Sequence, residues 1–166
     1  MLGKLYIVAT PIGNLSDITL RALETFKNVD IILCEDTRVT KNLLEHYQIN
    51  KTLVSYHQHT DTRKIKEIIS WLEDGKNIAL VTDAGTPGIS DPGGLLIEQI
   101  VKNTGSAEII PIPGASAAIA ALSISGFATD KFVFLGFPPH KNKRQKYFKE
   151  VAAAEHTVVF YESGHR

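Results

Sequence analysis

A regular alternation constrains this chain more than any other feature. Short apolar runs recur at KLYIVAT (4–10), DIILCED (30–36), TLVSYH (52–57), NIALVTD (77–83) and AEIIPIP (107–113). Between them lie ITLRALETFKNV, TKNLLEHYQ, DTRKIKEIISWLEDG and GGLLIEQIVKNTG, each with apolar residues three and four apart, the period of a helix. A parallel strand pair needs a long crossover, and helices are what such crossovers contain. The spacing therefore predicts an α/β domain over residues 1–113, with a mainly parallel five-stranded sheet and flanking helices. Asp61 and Thr62 read as the start of the third helix and Gly75 as its stop.

After Pro113 the pattern changes. ASAAIAALSISG (115–126) reads as a small-residue helix, FVFLGFPP (132–139) as a strand, residues 142–154 as a basic helix and HTVVFYES (156–163) as a strand. Two strands and two helices bury too little to stand as a domain. Residues 118–166 are thus expected to open a second α/β domain, incomplete here and continuing past Arg166.

Charge narrows the function classes. Eighteen basic and eighteen acidic residues cancel, so the whole molecule offers no strong field to a polyanion. The exception is HKNKRQKYFK, which concentrates Lys141, Lys143, Arg144, Lys146 and Lys149 without an acid. It reads either as a solvated helix start or as a phosphate-contacting patch. No window approaches a membrane span, the amino terminus lacks the pattern of a signal peptide, and Cys34 has no partner for a disulfide. Those features favour the cytoplasm and no membrane association.

Three Gly/Pro-containing segments fall at strand ends: ATPIGNLSDIT after the first, DAGTPGISDPGG after the fourth and PGASAA after the fifth. In a parallel sheet all carboxyl ends open on one edge, where ligands bind. Glycines there leave backbone exposed for close approach. G-x-G-x-x-G and G-x-x-x-x-G-K-[ST] are both absent, which argues against dinucleotides and nucleoside triphosphates. One cysteine and no clustered histidine pair on a helix argue against zinc, and no metal is expected. None of the three segments carries a Lys or Arg, so a mostly neutral ligand bearing a purine and an amino acid suits them. Polar candidates for chemistry stand at the ends of the second and third strands: Glu35, Asp36, Arg38, His57 and His59. Either Asp36 or His57 could take a proton. Arg38 reads as an ion-pair partner of Glu35 or Asp36, or as a phosphate clamp. Trp71 reads as core and Cys34 as an inert filler.

The series IVATPIGNLSDIT, CEDTR, SYHQH, VTDAGTPGISDPG, IPGASA, FLGFPP and FYESGHR closely resembles the ribosomal RNA small subunit methyltransferase I family, of the tetrapyrrole-methylase type. The likeness runs from Lys4 to Arg166. It implies two α/β domains with S-adenosyl-L-methionine bound between them, and 2′-O-methylation of a cytidine ribose in the decoding region of small-subunit (16S) rRNA. It also implies a homodimer acting on the small ribosomal subunit. Carried over by position, cofactor-binding residues would be Pro11, Ile12, Asp83, Ala84, Gly85, Thr86, Ile89, Ser116, Ala117 and Tyr161. Catalytic candidates remain Asp36, His57 and Arg38, and the RNA contacts would be Lys141, Lys143, Arg144 and Lys146. The wider superfamily has Gly-Asp-Pro where this chain has Gly85-Thr86-Pro87. That leaves open whether Asp83 or Asp91 supplies the loop's carboxylate or Thr86 acts through its hydroxyl. The alternatives are a methyltransferase for a tetrapyrrole or other small acceptor, and an inactive truncated fragment that binds cofactor or RNA.

Overall fold

The computed structural model describes residues 1–57, 60–104 and 107–163. They divide into two compact units, Met1–Ala115 and Ser116–Arg166. The first contains β1 (Leu5–Val8), α1 (Leu20–Asn28), β2 (Ile31–Cys34), α2 (Thr37–His46), β3 (Thr52–Ser55), α3 (Thr62–Glu73), β4 (Ile78–Leu80), α4 (Gly94–Thr104) and β5 (Ile109–Ile112).

The five strands lie in the order β3-β2-β4-β1-β5, and every pairing is parallel. The sheet is thus wholly parallel where the sequence predicts a mainly parallel one. Side-chain alternation along the strands builds two separate cores. On one face Leu5, Ile31, Leu33, Ile78 and Leu80 meet Ile65, Ile68 and Leu72 of α3 and Leu96 and Ile100 of α4. On the other, Val8, Ile32, Cys34, Ala79 and Val81 meet Ala22 and Phe26 of α1 and Leu43 and Leu44 of α2. The runs read continuously apolar because both faces of a parallel sheet are covered.

Local chemistry fixes the helix starts. Thr19, Asp36 and Asp61 are the N-caps of α1, α2 and α3, each accepting a backbone N–H of the first turn. The cap at Asp36 starts α2 at Thr37, three residues before the helix pattern read from TKNLLEHYQ. Gly75 adopts φ +83° just past α3, in agreement with its reading as a stop. Trp71 packs against the α3/α4 core as read, half-buried, with the ammonium groups of Lys64 and Lys76 over its ring at 5.0 and 5.9 Å.

The second unit holds α5 (Ala117–Ser125), β6 (Phe132–Phe134), α6 (Arg144–Ala152) and β7 (Thr157–Val159). β6 and β7 form a separate two-stranded parallel sheet. α5 ends at Gly126 in the left-handed conformation. β6 is shorter than the apolar run FVFLGFPP, because the chain turns at Gly136 (φ +61°).

Candidate functional site

The three Gly/Pro segments gather at the carboxyl edge of the five-stranded sheet. The loop after β4 folds back on the chain leaving β1 as a small antiparallel bridge. Thr10 N–H donates to Gly85 O at 2.9 Å and Gly85 N–H to Thr10 O at 3.1 Å. The Thr10 hydroxyl, buried, donates to Thr82 O at 3.2 Å. The Thr86 hydroxyl donates to Ala115 O at 3.1 Å, tying the same loop to the chain leaving β5. Thr86 is therefore a brace between loops. The exits of β1, β4 and β5 form one cross-linked platform.

Gly85 sits at φ +88°, a conformation an L side chain rarely adopts, and a Cβ there would come 3.5 Å from Ile12 and 3.9 Å from Ala115 O. A Gly85→Leu change would strain the backbone before any ligand arrived, so it cannot by itself report on binding. Gly13 and Gly88 also have positive φ, and nothing stands within 4 Å of where their Cβ atoms would be. Open space bounded by bare backbone on two of the three segments suits a ligand held by amides and carbonyls.

Beside this platform is a cavity of about 300 Å³. It lies between the β1 exit, α2 and the β4 exit, on the sheet face where α1 and α2 pack. Pro11, Val39 and Leu43 give it apolar walls, and Asn14, Asn42 and Asp83 supply polar groups. Asp83 Oδ1 accepts the Asp36 backbone N–H at 3.1 Å, which fixes the ends of β2 and β4 to each other.

A group of carboxylates stands here. Burial pushes Asp91 up to about 6, helped by the charges of Glu35 and Asp83. Burial also raises Glu35, with Asp83 adding to the shift and His57 opposing it. Asp36 moves the other way. Its carboxylate accepts Arg38 Nε at 3.1 Å, a second guanidinium N–H at 2.6 Å and the Arg38 backbone N–H at 2.8 Å. Those bonds hold it at about 2.

That geometry gives Asp36 a role that the sequence reading did not. It is a helix cap locked to Arg38, and a carboxyl held so low is a poor base at neutral pH. The D-T-R spelling at the start of a helical pattern is an N-cap signal that the sequence reading passed over. Arg38 is in turn the ion-pair partner of Asp36 rather than Glu35. His57 is exposed, with Nε2 2.7 Å from Ser55 Oγ and its backbone N–H donating to Thr60 Oγ1 at 2.6 Å. His59 lies outside the described residues. Cys34 is fully buried, and burial raises its thiol, as an inert filler requires.

Of the residues carried over for the cofactor, Pro11, Ile12, Asp83, Ala84, Gly85, Thr86 and Ile89 stand on the platform loops of the first unit, where Pro11 and Gly85 are buried and Ile89 is half exposed. Ser116, Ala117 and Tyr161 belong to the second unit. Ser116 is the N-cap residue of α5 but makes no side-chain capping bond. Tyr161 packs edge-on against Phe134 and at a tilt against Phe137, with centroids 4.9 and 5.4 Å apart.

The basic run separates into different roles. Arg144 donates to Glu162 at 2.7 Å and to Pro139 O at 3.3 Å, and lies over Phe148. It is held within its own unit, with a partner eighteen residues away in sequence that the run itself could not reveal. Lys146 lies 3.8 Å from Glu150. Lys143 takes the left-handed conformation before α6, φ +67°. Lys141 and Lys149 share a shallow groove of about 790 Å³ with Arg144, Gln145 and Phe148. No cluster among the described residues could hold a metal ion, and no helix among them is long and apolar enough to cross a membrane.

Comparison with known proteins bears on these features. The family model of tetrapyrrole (corrin/porphyrin) methylases matches residues 4–166. The chain is 53% identical over 168 residues to the ribosomal RNA small subunit methyltransferase I of Synechocystis sp., covering 99% of this chain and 59% of that protein. It is 46% identical over 165 residues to the Thermotoga maritima protein of the same name, covering 99% of this chain and 73% of that one. Among solved structures, the methyltransferase CobJ superposes with a TM-score of 0.70 at 18% identity, over 99% of this chain and 70% of that chain. Diphthine synthase does so with a TM-score of 0.70 at 14% identity, over 98% and 65%. At such identities these two structures speak to the fold alone. The chain spans 58 to 59% of the length of the Synechocystis and Haemophilus influenzae relatives. It belongs to the tetrapyrrole methylase family and, within it, to the ribosomal RNA small subunit methyltransferase I group.

Proposed function

We propose that the protein carrying this chain transfers a methyl group from S-adenosyl-L-methionine to the 2′-hydroxyl of a cytidine ribose in the decoding region of small-subunit rRNA. The observation that carries the reading is the identity to proteins named for ribosomal RNA methylation, 46 to 53% along 99% of the chain. The platform is consistent with it: bare backbone at Gly13 and Gly88, beside open space, suits a ligand of nucleoside and amino-acid character.

The residues proposed to hold the cofactor are Pro11, Ile12 and the loop from Asp83 to Ile89; the resemblance also names Ser116, Ala117 and Tyr161. When bound, S-adenosyl-L-methionine supplies a methyl group already activated on a sulfonium, so the protein's work is alignment and removal of one proton. Asp83 is the group we assign to the acceptor hydroxyl. Its carboxylate lines the cavity beside the platform, and one oxygen is held in place by the Asp36 amide. Asp91 and Glu35 stand nearby, and burial together with like charge raises both of them. Asp36 and Arg38 act as positioning residues that set the start of α2. The homodimer, the cytoplasmic location and the small ribosomal subunit as partner form part of the same proposal.

The experiment is incubation of radiolabelled S-adenosyl-L-methionine and this protein with small ribosomal subunits lacking the modification, followed by nuclease mapping. Label at a cytidine 2′-oxygen is expected. Label on a base, or on a small acceptor while rRNA stays unlabelled, would overturn the reading.

A further inference from the structure

A group transfer between two molecules needs two adjoining subsites, and the carboxyl edge of the first unit offers two features of different character. The glycine platform joins the exits of β4, β1 and β5 and presents backbone. The cavity joins the exits of β1 and β4 to α2 and presents side chains. They meet at Thr10, Pro11, Gly13 and Asp83. We infer that the cavity between the β1 exit and α2 receives the acceptor nucleotide as a single base turned out of its stack, with Pro11 and Val39 as its walls and Asn42 reading its pairing edge. The inference rests on the methyltransferase reading and adds the acceptor's place to it.

Size supports this assignment. At about 300 Å³ the cavity is at the small end of ligand sites and suits one nucleoside. A tetrapyrrole macrocycle is several times larger than a nucleobase. The chemistry agrees. Single-stranded bases are recognised by stacking on flat apolar surfaces and by hydrogen bonds to their pairing edges. Pro11, Val39 and Leu43 offer apolar contact to a base face, without an aromatic ring. Asn42 brings a donor and an acceptor side by side, which match the amino group and ring nitrogen of cytosine. Its amide makes no hydrogen bond among the described residues, although Asn14 in the same cavity spends its oxygen on the Ser16 N–H at 3.0 Å. Asp83 at the junction stands where the sugar of a base in this cavity would meet the platform.

The test is a nuclear magnetic resonance titration of this chain with cytidine and, separately, with S-adenosylhomocysteine. Cytidine should move the amide resonances of Asn14, Val39 and Asn42. Val39→Trp, which fills the cavity from an exposed position, should weaken cytidine at least tenfold while leaving S-adenosylhomocysteine within about twofold. Asn42→Leu, at an exposed helix position that tolerates the change, should weaken cytidine by several fold and keep the fold intact. No cavity shifts with cytidine at tens of millimolar, or full cytidine affinity in both variants, overturns the inference. Loss of S-adenosylhomocysteine binding in Val39→Trp would show that the cavity belongs to the cofactor, which sinks the acceptor assignment and spares the methyltransferase. Cytidine binding in the cavity while the transfer assay described above leaves rRNA unlabelled would do the reverse: the nucleoside site stands and the methyltransferase reading falls.

Discussion

The two units use the same alphabet of strand and helix and reach opposite degrees of burial. In the first, β2 is buried at every position and helices cover both sheet faces. In the second, Phe132, Val133, Leu135 and Phe137 are each 39 to 49% exposed and α6 buries no residue. Among the described residues, every buried apolar side chain except Ala118, Leu122 and Pro138 belongs to the first unit. The difference teaches that apolar content does not make a core. A strand becomes interior when neighbours lie on both edges and both faces, and a two-stranded sheet supplies neither.

The contrast can be broken most directly by removing core volume. Phe26→Ala, at a fully buried position between α1 and the sheet, should cost about 3–5 kcal/mol in urea unfolding. Val133→Ala in the second unit should cost about 0.5 kcal/mol or less, since little is lost from a side chain already in water. Equal costs would mean that the second unit has a core of its own.

Next in size is a titration at the edge of the first unit. The folded chain raises Asp91 from 3.8 to about 6, so it holds a proton that the unfolded chain releases across that window. Asp91 therefore favours folding most at low pH, and that contribution is lost as pH rises from about 4 to 6. Asp91→Asn should stabilise the protein on the order of 1–2 kcal/mol at pH 8, after discounting for partial solvent contact, and by almost nothing at pH 4. Unfolding curves across that range check it, and a gain independent of pH would refute it.

Smaller still is the brace between loops. Thr86→Val keeps the shape and deletes the bond to Ala115 O, which should cost about 1 kcal/mol. If the platform holds the cofactor, calorimetry should show S-adenosylhomocysteine weakened several fold in the same variant. The smallest effects belong to α6. Lys141→Ala with Lys149→Ala should flatten the salt dependence of rRNA binding by roughly 0.7 to 0.9 for each phosphate no longer neutralised. Arg144→Ala should instead loosen the second unit, because that side chain is paired to Glu162. A salt slope that responds to Arg144 and ignores the two lysines would reverse this division.

Much of the first unit was legible because burial on two faces writes continuous apolar runs, and because caps such as Asp61 are spelled locally. The platform's location was legible too, from three Gly/Pro segments at strand ends. Its bracing was not: the Thr10–Gly85 bridge is made by backbone groups that every residue carries, and the Thr86 bond ends on a carbonyl. The partners of Asp36 and Arg144 were hidden for a related reason. Residue type announces what a charge can do, whereas its role here follows from the partner that tertiary structure brings to it.

The strand order has a consequence in time. Of the described strands β1 leaves the ribosome first, yet its two partners are β4 and β5, with Leu5 opposite both Ile78 and Ile109. β2 and β3 can pair meanwhile, but β1 has no partner until β4 has been made through Leu80, and its other edge stays open until Ile112. At ordinary rates of synthesis the wait for the second partner is roughly 5–20 s, during which an apolar strand keeps at least one edge bare. Proteolysis of nascent chains stalled before and after Ile112 should show β1 protected only in the longer ones. The arrangement that brings three loops to one edge also makes this protein a candidate client for chaperones at the ribosome.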